Sequence, residues 1–428
     1  MASSLPAGPA FQTFALRNRK TMKTRILFAE QFYYPEGWGG AQIPRDITMS
    51  LARSGFAVDV LCGSEQYAPQ PADRVDDPTA AGVRIRRIPA LLNGQVKRFR
   101  IMQQIWFCVL AIPMILLSRR PRIIIAQTNP APLIPILALL CTILRVRFII
   151  IAQDLYPEVM IADGLLSANG LLTRILTGAF AWAYRRAHRV VALGPRMAER
   201  ILAKGVLRER VREISNWATG DVRAMARADN PLVGDWGLRD KFVLLYSGNL
   251  GIAHDFETFV HAFAAARRVV PHLHLVIVGG GSRIGQARAL VDSLAIGEAV
   301  SFEGFVASEQ LSLSLGVAHL ALVTLLPGFE GLVVPSKLLG HMARAIPTLY
   351  IGPAGSDVDE LLRRSGGGVS LRNKDVTGTA RRITELAADG AALDTLGRDA
   401  RAYYLSHLSR DAGLEQYRQL IREVAGSA

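Results

Sequence analysis

The sequence predicts an α/β protein with two doubly wound, Rossmann-like domains that face a central cleft. Short, nearly continuous apolar runs alternate with helical patterns, as parallel strands covered on both faces do. The alternation runs through residues 26–192, breaks near Asn216 and restarts over residues 242–371. A chain of 428 residues is long enough for two separate cores. Ligands of such sheets bind beyond the carboxyl ends of the strands, which here border the cleft.

Apolar runs bounded by turn residues mark the expected strands. In the first half they are Ile26–Ala29, Ala57–Cys62, Val83–Ile88, Ile123–Ala126, Phe148–Ala152 and Val190–Ala192. In the second half they are Phe242–Tyr246, Leu273–Val278, Val300–Phe302, Leu320–Thr324, Thr348–Ile351 and Gly368–Leu371. Helical patterns lie between them. The first is expected at Pro44–Ser54, because proline favours the first helical position.

Positive charge is concentrated in the first half of the chain. Residues 1–230 hold 31 Lys and Arg against 16 Asp and Glu, whereas residues 231–428 hold 19 against 20. No recognisable nucleic-acid motif accompanies this charge, and aromatic residues make up only 7% of the chain. We therefore expect no nucleic-acid partner. The neighbouring apolar segments favour an anionic membrane surface instead.

The segment Ile101–Ser118 is uncharged and lies between two basic clusters. It contains Pro113 and is short for a spanning helix, which needs about 20 apolar residues. Two interpretations remain open for it and for the helical part of Ile123–Leu144: a helix in the membrane interface, or a core helix of the first domain. For the membrane interpretation, the contact residues are Lys97, Arg98, Arg100 and Trp106.

Cysteine usage and the N-terminal residues set further expectations. Cys62, Cys108 and Cys141 lie in apolar surroundings without metal-ligand spacing. We interpret them as core thiols of a protein in a reducing compartment. Residues 1–22 show no charged segment followed by an apolar one, so we expect a flexible N-terminal extension rather than a signal peptide.

The stretch Gly328–Pro347 carries the strongest functional signal. Glu330 precedes a short apolar run, and Pro335, Ser336 and Lys337 then open a helical pattern. A helix N-terminus suits phosphate because its first N–H groups are unpaired, and Lys337 adds a full charge. Glu330 can accept hydrogen bonds from sugar hydroxyls. The pattern indicates a nucleotide-sugar site, with an ordinary helix after a buried strand as the alternative.

Two glycine-rich turns fail the pattern of a dinucleotide-binding dehydrogenase. In GGGSRIG, which follows Leu275–Val278, the third glycine of G-x-G-x-x-G falls one residue late, at Gly285. The turn after the first strand is also off pattern. Its Gly39 and Gly40 suit a loop that approaches a ligand closely, or an ordinary strand-to-helix turn.

Seven segments resemble, in order, motifs of the retaining family 4 glycosyltransferases. They are ILFAEQFYYPEGWGGAQ (Ile26–Gln42), AQDLYPE (Ala152–Glu158), SNWAT (Ser215–Thr219), LLYSGNLG (Leu244–Gly251), LVIVGGGS (Leu275–Ser282), VSFEGFV (Val300–Val306) and GFEGLVVPSKLLGHMARAIP (Gly328–Pro347). The resemblance extends over residues 23–425. AQDLYPE is similar to the branch that assembles bacterial cell-surface polysaccharides of the colanic-acid or O-antigen type.

This resemblance implies the GT-B fold and transfer of a sugar, with retention, from a UDP- or GDP-sugar. It implies a membrane-associated, acceptor-binding N-terminal domain (23–220), a donor-binding C-terminal domain (221–410) and a final helix crossing back (411–428). The implied acceptor is a saccharide on a polyprenyl diphosphate. The implied location is cytoplasmic, peripheral on the inner face of the cytoplasmic membrane. Neither a metal nor another cofactor is expected.

The chain departs from the family pattern at four positions. Leu338 stands where a second acid usually follows the first by eight residues, and an alternative alignment through MARAIP puts Gly340 there. Asn249 and His254 replace a usual basic pair, and Gln153 replaces a usual histidine. Neutralisation of the diphosphate is therefore expected to depend more on Lys337, on backbone amides and on Arg283.

The resemblance assigns the candidate site residues. The catalytic candidates are Asp154, Gln153 and Glu330, and the donor-binding candidates are Gly248, Asn249, His254, Gly281, Arg283, Phe305, Glu330, Pro335, Ser336 and Lys337. The expected acceptor or phosphate loop contains Gly39, Gly40 and Gln42. Asp154 is expected to act as a base or to cap the next helix. Two other function classes stay open: a nucleotide-sugar epimerase of the same fold, and a non-catalytic protein that binds a membrane surface.

Overall fold

Two parallel sheets, each covered by helices on both faces, form the molecule. The structure is a computed structural model that describes residues 23–35, 39–64, 77–91, 99–220, 225–306 and 308–426. The sheets contain seven and six strands. The expected fold class, two doubly wound α/β domains, is confirmed. The predicted N-terminal extension, residues 1–22, lies outside the described residues.

The first sheet has the order β3-β2-β1-β4-β5-β6-β7. Its strands are β1 (Arg25–Ala29), β2 (Ala57–Gly63), β3 (Arg84–Ile88), β4 (Ile123–Gln127), β5 (Arg147–Ile151), β6 (Arg189–Ala192) and β7 (Val211–Glu213). The central strands are buried on both faces, which explains their continuous apolar runs. All neighbours are parallel, so their carboxyl ends share one edge.

Helices cover both faces of this sheet. They are α1 (Gly39–Arg53), α2 (Arg100–Leu116), α3 (Leu133–Leu144), α4 (Glu158–Ala162), α5 (Leu171–Arg186) and α6 (Pro195–Ala203). The inner sides of α2, α3, α5 and α6 share one core with one sheet face, whereas α1 packs on the opposite face. No helix within the described ranges is long and apolar enough to cross a membrane.

Helix α1 begins earlier than the sequence pattern predicts. Pro44 was expected to open the helix, but the helix starts at Gly39 and encloses Pro44. The predicted start was wrong because the preference of proline for a first turn does not exclude a later position, where it forfeits one N–H bond. Gly39, Gly40 and Gln42 therefore lie in the first turns of α1 and do not form the expected loop.

The second sheet has the order β10-β9-β8-β11-β12-β13. Its strands are β8 (Phe242–Ser247), β9 (Leu273–Val278), β10 (Val300–Gly304), β11 (Leu320–Thr324), β12 (Thr348–Ile351) and β13 (Gly368–Leu371). Its helices are α7 (Pro231–Asp235), α8 (Phe256–Arg267), α9 (Ile284–Ser293), α10 (Ser308–Leu315), α11 (Lys337–Ala343), α12 (Asp357–Ser365), α13 (Val376–Ala388) and α14 (Gly390–Tyr403).

The last helix, α15 (Arg410–Gly426), packs on the first domain against α1. Arg410 donates two hydrogen bonds to Asp46 of α1, at 2.8 and 2.9 Å. The same carboxylate accepts from the indole of Trp217 at 3.1 Å. Because Asp46 is only 5% exposed, this partly buried pair attaches the C-terminal helix to the first domain.

Candidate functional site

Three glycines let two strand-end turns of the second sheet pack closely. Gly248 follows β8, and Gly279 and Gly281 follow β9, all with φ between 116° and 135°. L side chains rarely adopt this conformation, whereas glycine adopts it readily. A Cβ on Gly248 would also lie 2.6 Å from Cε of Lys337. The three glycines thus leave bare backbone at the carboxyl edge, which we call the glycine floor. The side chain of Lys337 lies against it.

Lys337, the first residue of α11, is the cation of this edge. Its ammonium donates to the hydroxyl of Tyr246 (2.5 Å), the carbonyl of Asn249 (3.0 Å) and Nε2 of His254 (3.1 Å). It also lies 4.3 Å from the centroid of the Tyr246 ring. Burial lowers the pKa of Lys337 to about 7. No carboxylate neutralises this lysine in the described residues, so an anion can take that role.

His254 is neutral and acts as an acceptor. Its Nδ1 lies 2.8 Å from the carbonyl of Thr324, which can only accept, so Nδ1 carries the proton. Nε2 is then free to accept from Lys337. Burial lowers the pKa of His254 to about 3, with the nearby Lys337 acting in the same direction. The histidine therefore does not replace the positive charge of the residue usual at this position.

Arg283 and Phe305 border the same edge. Arg283 donates to the carbonyl of His254 at 3.3 Å and directly precedes α9. Phe305 is 81% exposed. Its ring lies so close to Gly280 that a Cβ there would come within 2.6 Å of Cε2. An exposed ring on a glycine surface offers a flat apolar platform at this edge of the sheet.

Glu330 lies on the loop before α11. Its Oε2 accepts from the N–H of Gly328 at 2.8 Å, and its carbonyl accepts from Arg200 of the first domain at 3.2 Å. Pro335 and Ser336 follow, and the exposed Ser336 makes no side-chain cap on α11. This helix has only seven residues. Lys337 therefore supplies most of the positive charge that this segment presents.

Gln153 and Asp154 follow β5 of the first sheet. The hydroxyl of Thr128 accepts from the N–H groups of both residues, at 3.0 and 3.1 Å. Gln153 also accepts from Asn216 at 2.8 Å. The carboxylate of Asp154 has no hydrogen-bond partner among the described residues, and burial raises its pKa to about 6. It is thus a base available near neutral pH.

Direct contacts between the domains bring these groups together. Asp154 pairs with Val333 in an antiparallel bridge, and Val333 also pairs with Glu330. The N–H of Leu155 donates to the carbonyl of Leu332 at 2.9 Å. The three catalytic candidates, Asp154, Gln153 and Glu330, therefore lie along one seam between the sheets.

A second contact between the domains lies beside this seam. The carboxylate of Asp357, at the start of α12, accepts from the N–H of Arg196 at 2.9 Å. The Arg196 guanidinium donates to the carbonyl of Gly355 at 3.0 Å. Since Arg196 lies on α6 with Arg200, this helix contacts both the Glu330 loop and the loop before α12.

The predicted membrane residues have different positions. Lys97 and Arg98 lie outside the described residues, and Arg100 opens α2. The indole of Trp106 donates to the carbonyl of Pro89 at 3.0 Å. That bond fixes the indole N–H against the protein.

Sequence reasoning missed several partners of the site. Tyr246 was predicted as a strand residue, but its hydroxyl and ring both contact Lys337. Thr128, Thr324 and Asp357 come from distant parts of the chain and carry no motif. A tyrosine near the end of a buried strand, just before Gly248–Asn249, was the one available signal.

The described residues contain no group of three or more His, Cys, Asp or Glu side chains that could hold a metal ion. The nearest carboxylates of the seam, Asp154 and Glu330, come from separate domains. The expectation of metal-independent chemistry stays a prediction, and activity after treatment with a chelator tests it.

Comparisons with known proteins identify both halves of the chain. Residues 39–217 match the family described as glycosyl transferase 4-like domain, and residues 241–389 match glycosyl transferases group 1. Together the two matches cover most of both sheets and the seam between them. This chain is a glycosyltransferase.

Individual relatives agree with this assignment. The glycosyltransferase is 26% identical to the probable glycosyltransferase WbjE of Pseudomonas aeruginosa over 314 residues, which span 71% of this chain and 75% of WbjE. Its fold resembles Anabaena HepE, solved with UDP, at a TM-score of 0.70 and 14% identity, covering 93% of this chain and 100% of HepE. It also resembles WaaG, a glycosyltransferase involved in lipopolysaccharide biosynthesis, at 0.64 and 14%, covering 92% and 98%. At these identities the two solved structures show a shared fold.

Proposed function

We propose that this glycosyltransferase moves a sugar, with retention, from a nucleoside-diphosphate sugar to a saccharide carried on a polyprenyl diphosphate. The observation that carries the proposal is Lys337, held over the glycine floor at the carboxyl edge of the second sheet. The donor is a UDP- or GDP-sugar. HepE has been solved with UDP-glucose, which supports this donor class.

In the donor half of the site, Lys337 neutralises the diphosphate. Charge grows on the leaving phosphate as the glycosidic bond breaks, and a fixed cation stabilises it. Gly248 and Gly281 allow the Lys337 side chain and the backbone of Leu250 to pack closely at this edge, which positions the ammonium, and Arg283 lies at the same edge. Phe305 offers its exposed face to the base. Glu330 accepts hydrogen bonds from sugar hydroxyls.

In the acceptor half, Asp154 receives the proton of the attacking hydroxyl. Its carboxylate is unpartnered among the described residues and lies on the seam next to the Glu330 loop. Gln153, whose amide is oriented by Asn216, positions the sugar or the acceptor. Retention follows from attack on the same face that the diphosphate leaves, so the departing phosphate and the acceptor hydroxyl meet at this seam.

The acceptor class and the location complete the proposal. WaaG acts in lipopolysaccharide biosynthesis, and such saccharides are built on lipids. The excess of Lys and Arg over residues 1–230, together with Lys97, Arg98, Arg100 and Trp106, supports contact with an anionic membrane. The protein then works peripherally on the cytoplasmic face of the membrane, where nucleotide-sugars are present.

The pH dependence of kcat/KM follows from two groups of the free enzyme. Asp154 must be ionised and has a pKa of about 6, whereas Lys337 must be protonated and has a pKa of about 7. Transfer is therefore expected to rise with pH through about 6 and to fall above about 7. In Asp154→Asn the acidic limb disappears and the alkaline limb remains. An acidic limb that persists in this variant contradicts a base role for Asp154.

Consumption of the donor separates the three function classes. Purified enzyme is incubated with a panel of nucleotide-sugars, with and without membranes that carry lipid-linked saccharide. The proposal predicts release of nucleoside diphosphate that depends on the membranes. Isomerisation of the nucleotide-sugar without membranes would indicate an epimerase. Stabilisation by membranes without consumption of any donor would indicate a binding protein.

A further inference from the structure

Helices α2, α3 and α5 form one layer on one face of the first sheet. Their inner residues, among them Phe107, Leu137 and Phe180, share a single core with that face of the sheet. Because all three helices pack their inner apolar residues on the same face of the sheet, their outer sides point away from it in a common direction. That outward surface has no covering element in the described part of the chain.

The outward surface is apolar. Nineteen large apolar side chains in the described residues are exposed, and twelve of them lie on or directly beside these three helices. Each helix presents a pair one turn apart: Ile105 and Val109, Leu139 and Ile143, Leu171 and Ile175. All six are more than half exposed, and Leu171 reaches 75%. We call this surface the apolar face. The concentration of exposed apolar side chains on one layer marks an interaction site.

Charge around the apolar face has one sign. Residues 78–198 contain 16 Lys and Arg but only three acids. Of the acids, Asp154 lies at the seam and Glu158 pairs with Lys204. Five exposed arginines lie on these helices or shortly after them, most at the C-terminal ends, namely Arg119, Arg120, Arg145, Arg174 and Arg186. None of their side chains hydrogen-bonds or ion-pairs with another described residue, so they can meet anions.

A cavity adds a local binding place to this layer. It measures about 230 Å³ and lies between α3 and α5, at the amino end of β5, whereas Gln153 and Asp154 follow the carboxyl end of that strand. Its lining includes the side chains of Arg145 and Arg186, together with Cys141 and Thr142. The Thr142 hydroxyl donates to the carbonyl of Ala138 at 2.7 Å. The two guanidiniums have no partners among the described residues and suit a phosphate group, since guanidinium binds phosphate in a bidentate manner.

We propose that the apolar face docks on an anionic lipid bilayer. Aliphatic side chains enter the interface while the exposed arginines meet lipid phosphates. A second copy of this chain fits poorly, because a two-fold contact would bring two surfaces of the same positive charge together. The surface includes α5, which lies outside the segments Ile101–Ser118 and Ile123–Leu144 that the sequence marks as apolar.

The position of α5 connects this surface with the proposed transfer. Asp154 lies at the end of β5, and α4 and Leu171 follow within the same connection. Docking would therefore bring the bilayer to the helix that follows the acceptor side of the seam in the chain. This last step rests on the proposed transfer, and the docking deepens the membrane contact of the proposed function by locating it on the apolar face.

Vesicle sedimentation of the full chain tests the proposal. Phosphatidylcholine vesicles are compared with vesicles that also contain phosphatidylglycerol. The natural protein is expected to bind the mixed vesicles. The variant Ile105→Ser/Ile143→Ser/Ile175→Ser should bind at least about tenfold more weakly, and neutralising Arg145 or Arg186 with Gln should cost about fivefold each. The control variants Val269→Ser/Leu405→Ser and Arg268→Gln, at exposed positions outside the layer, should bind like the natural protein.

Two further readouts keep the outcomes distinct. Thermal unfolding confirms that the serine variant is folded, and transfer to a water-soluble acceptor should match the natural protein. Equal vesicle binding by the serine variant overturns the docking proposal. The docking proposal is also overturned if the natural protein is a dimer and the serine variant is not, since the apolar face is then a protein interface. Absence of transfer in a protein that still binds vesicles refutes the proposed function alone.

Discussion

Replacing Lys337 with methionine is expected to lower kcat/KM for sugar transfer by about 10²–10³-fold, the loss typical of one fixed charge-stabilising donor. Lys337 is the one lysine that contacts Tyr246, Asn249 and His254 together in the described part of the chain, and its charge faces the glycine floor. Methionine keeps the length and the apolar contacts of the side chain but removes the ammonium. Steady-state kinetics with a saturating acceptor measure the loss.

Stability should not follow activity in this variant. Burial disfavours the charged lysine, so an apolar side chain is expected to leave the thermal midpoint unchanged or to raise it. Lys374→Met, an exposed lysine on the same domain, is the matched control and should transfer normally. Near-natural turnover of Lys337→Met would show that the diphosphate is held elsewhere.

Replacing Glu330 with alanine is expected to remove most transfer, again by about two orders of magnitude or more. Glu330 lies on the seam loop and is connected to Asp154 by two backbone bridges that share Val333. In the donor complex it would accept from sugar hydroxyls, so its loss should affect kcat as well as KM. Initial rates over a range of donor concentrations separate the effect on kcat from the effect on KM.

The loop itself should survive the substitution at Glu330. Its backbone is also fixed by Arg200 and by the pairing of Leu155 with Leu332. Glu298→Ala, at an exposed position of the same domain, serves as the control. If Glu330→Ala binds nucleoside diphosphate normally but no longer distinguishes among sugars, the role in sugar recognition is supported. Unchanged transfer would exclude it.

The sequence predicted the fold because strand identity depends on short-range composition. Runs such as Ile123–Ala126 are typical of buried strands covered on both faces, and the structure confirms the parallel sheets. Helix boundaries depend on smaller differences in free energy between a longer and a shorter helix. Pro44 suggested a helix start, yet the helix includes residues from Gly39 onward, because one lost N–H bond costs less than the additional helical residues gain.

The site was predictable only in part. Glu330, Lys337 and Asp154 stand in recognisable segments, so the sequence singled them out. Their partners, Tyr246 and Thr128 among them, are selected by packing between elements far apart in the chain. Exposure is also a tertiary property. The sequence of α5 is that of an ordinary helix, and the exposure of its Leu171 and Ile175 is evident only in the assembled layer.

A structure of the protein with bound nucleoside diphosphate tests the central claim most directly. The nucleotide, UDP or GDP, is chosen by the donor panel. The account predicts that a diphosphate oxygen accepts a hydrogen bond from Nζ of Lys337, with the phosphates against Gly248 and the base near Phe305. A diphosphate bound within the first domain, or beyond hydrogen-bond distance of Lys337, would contradict it.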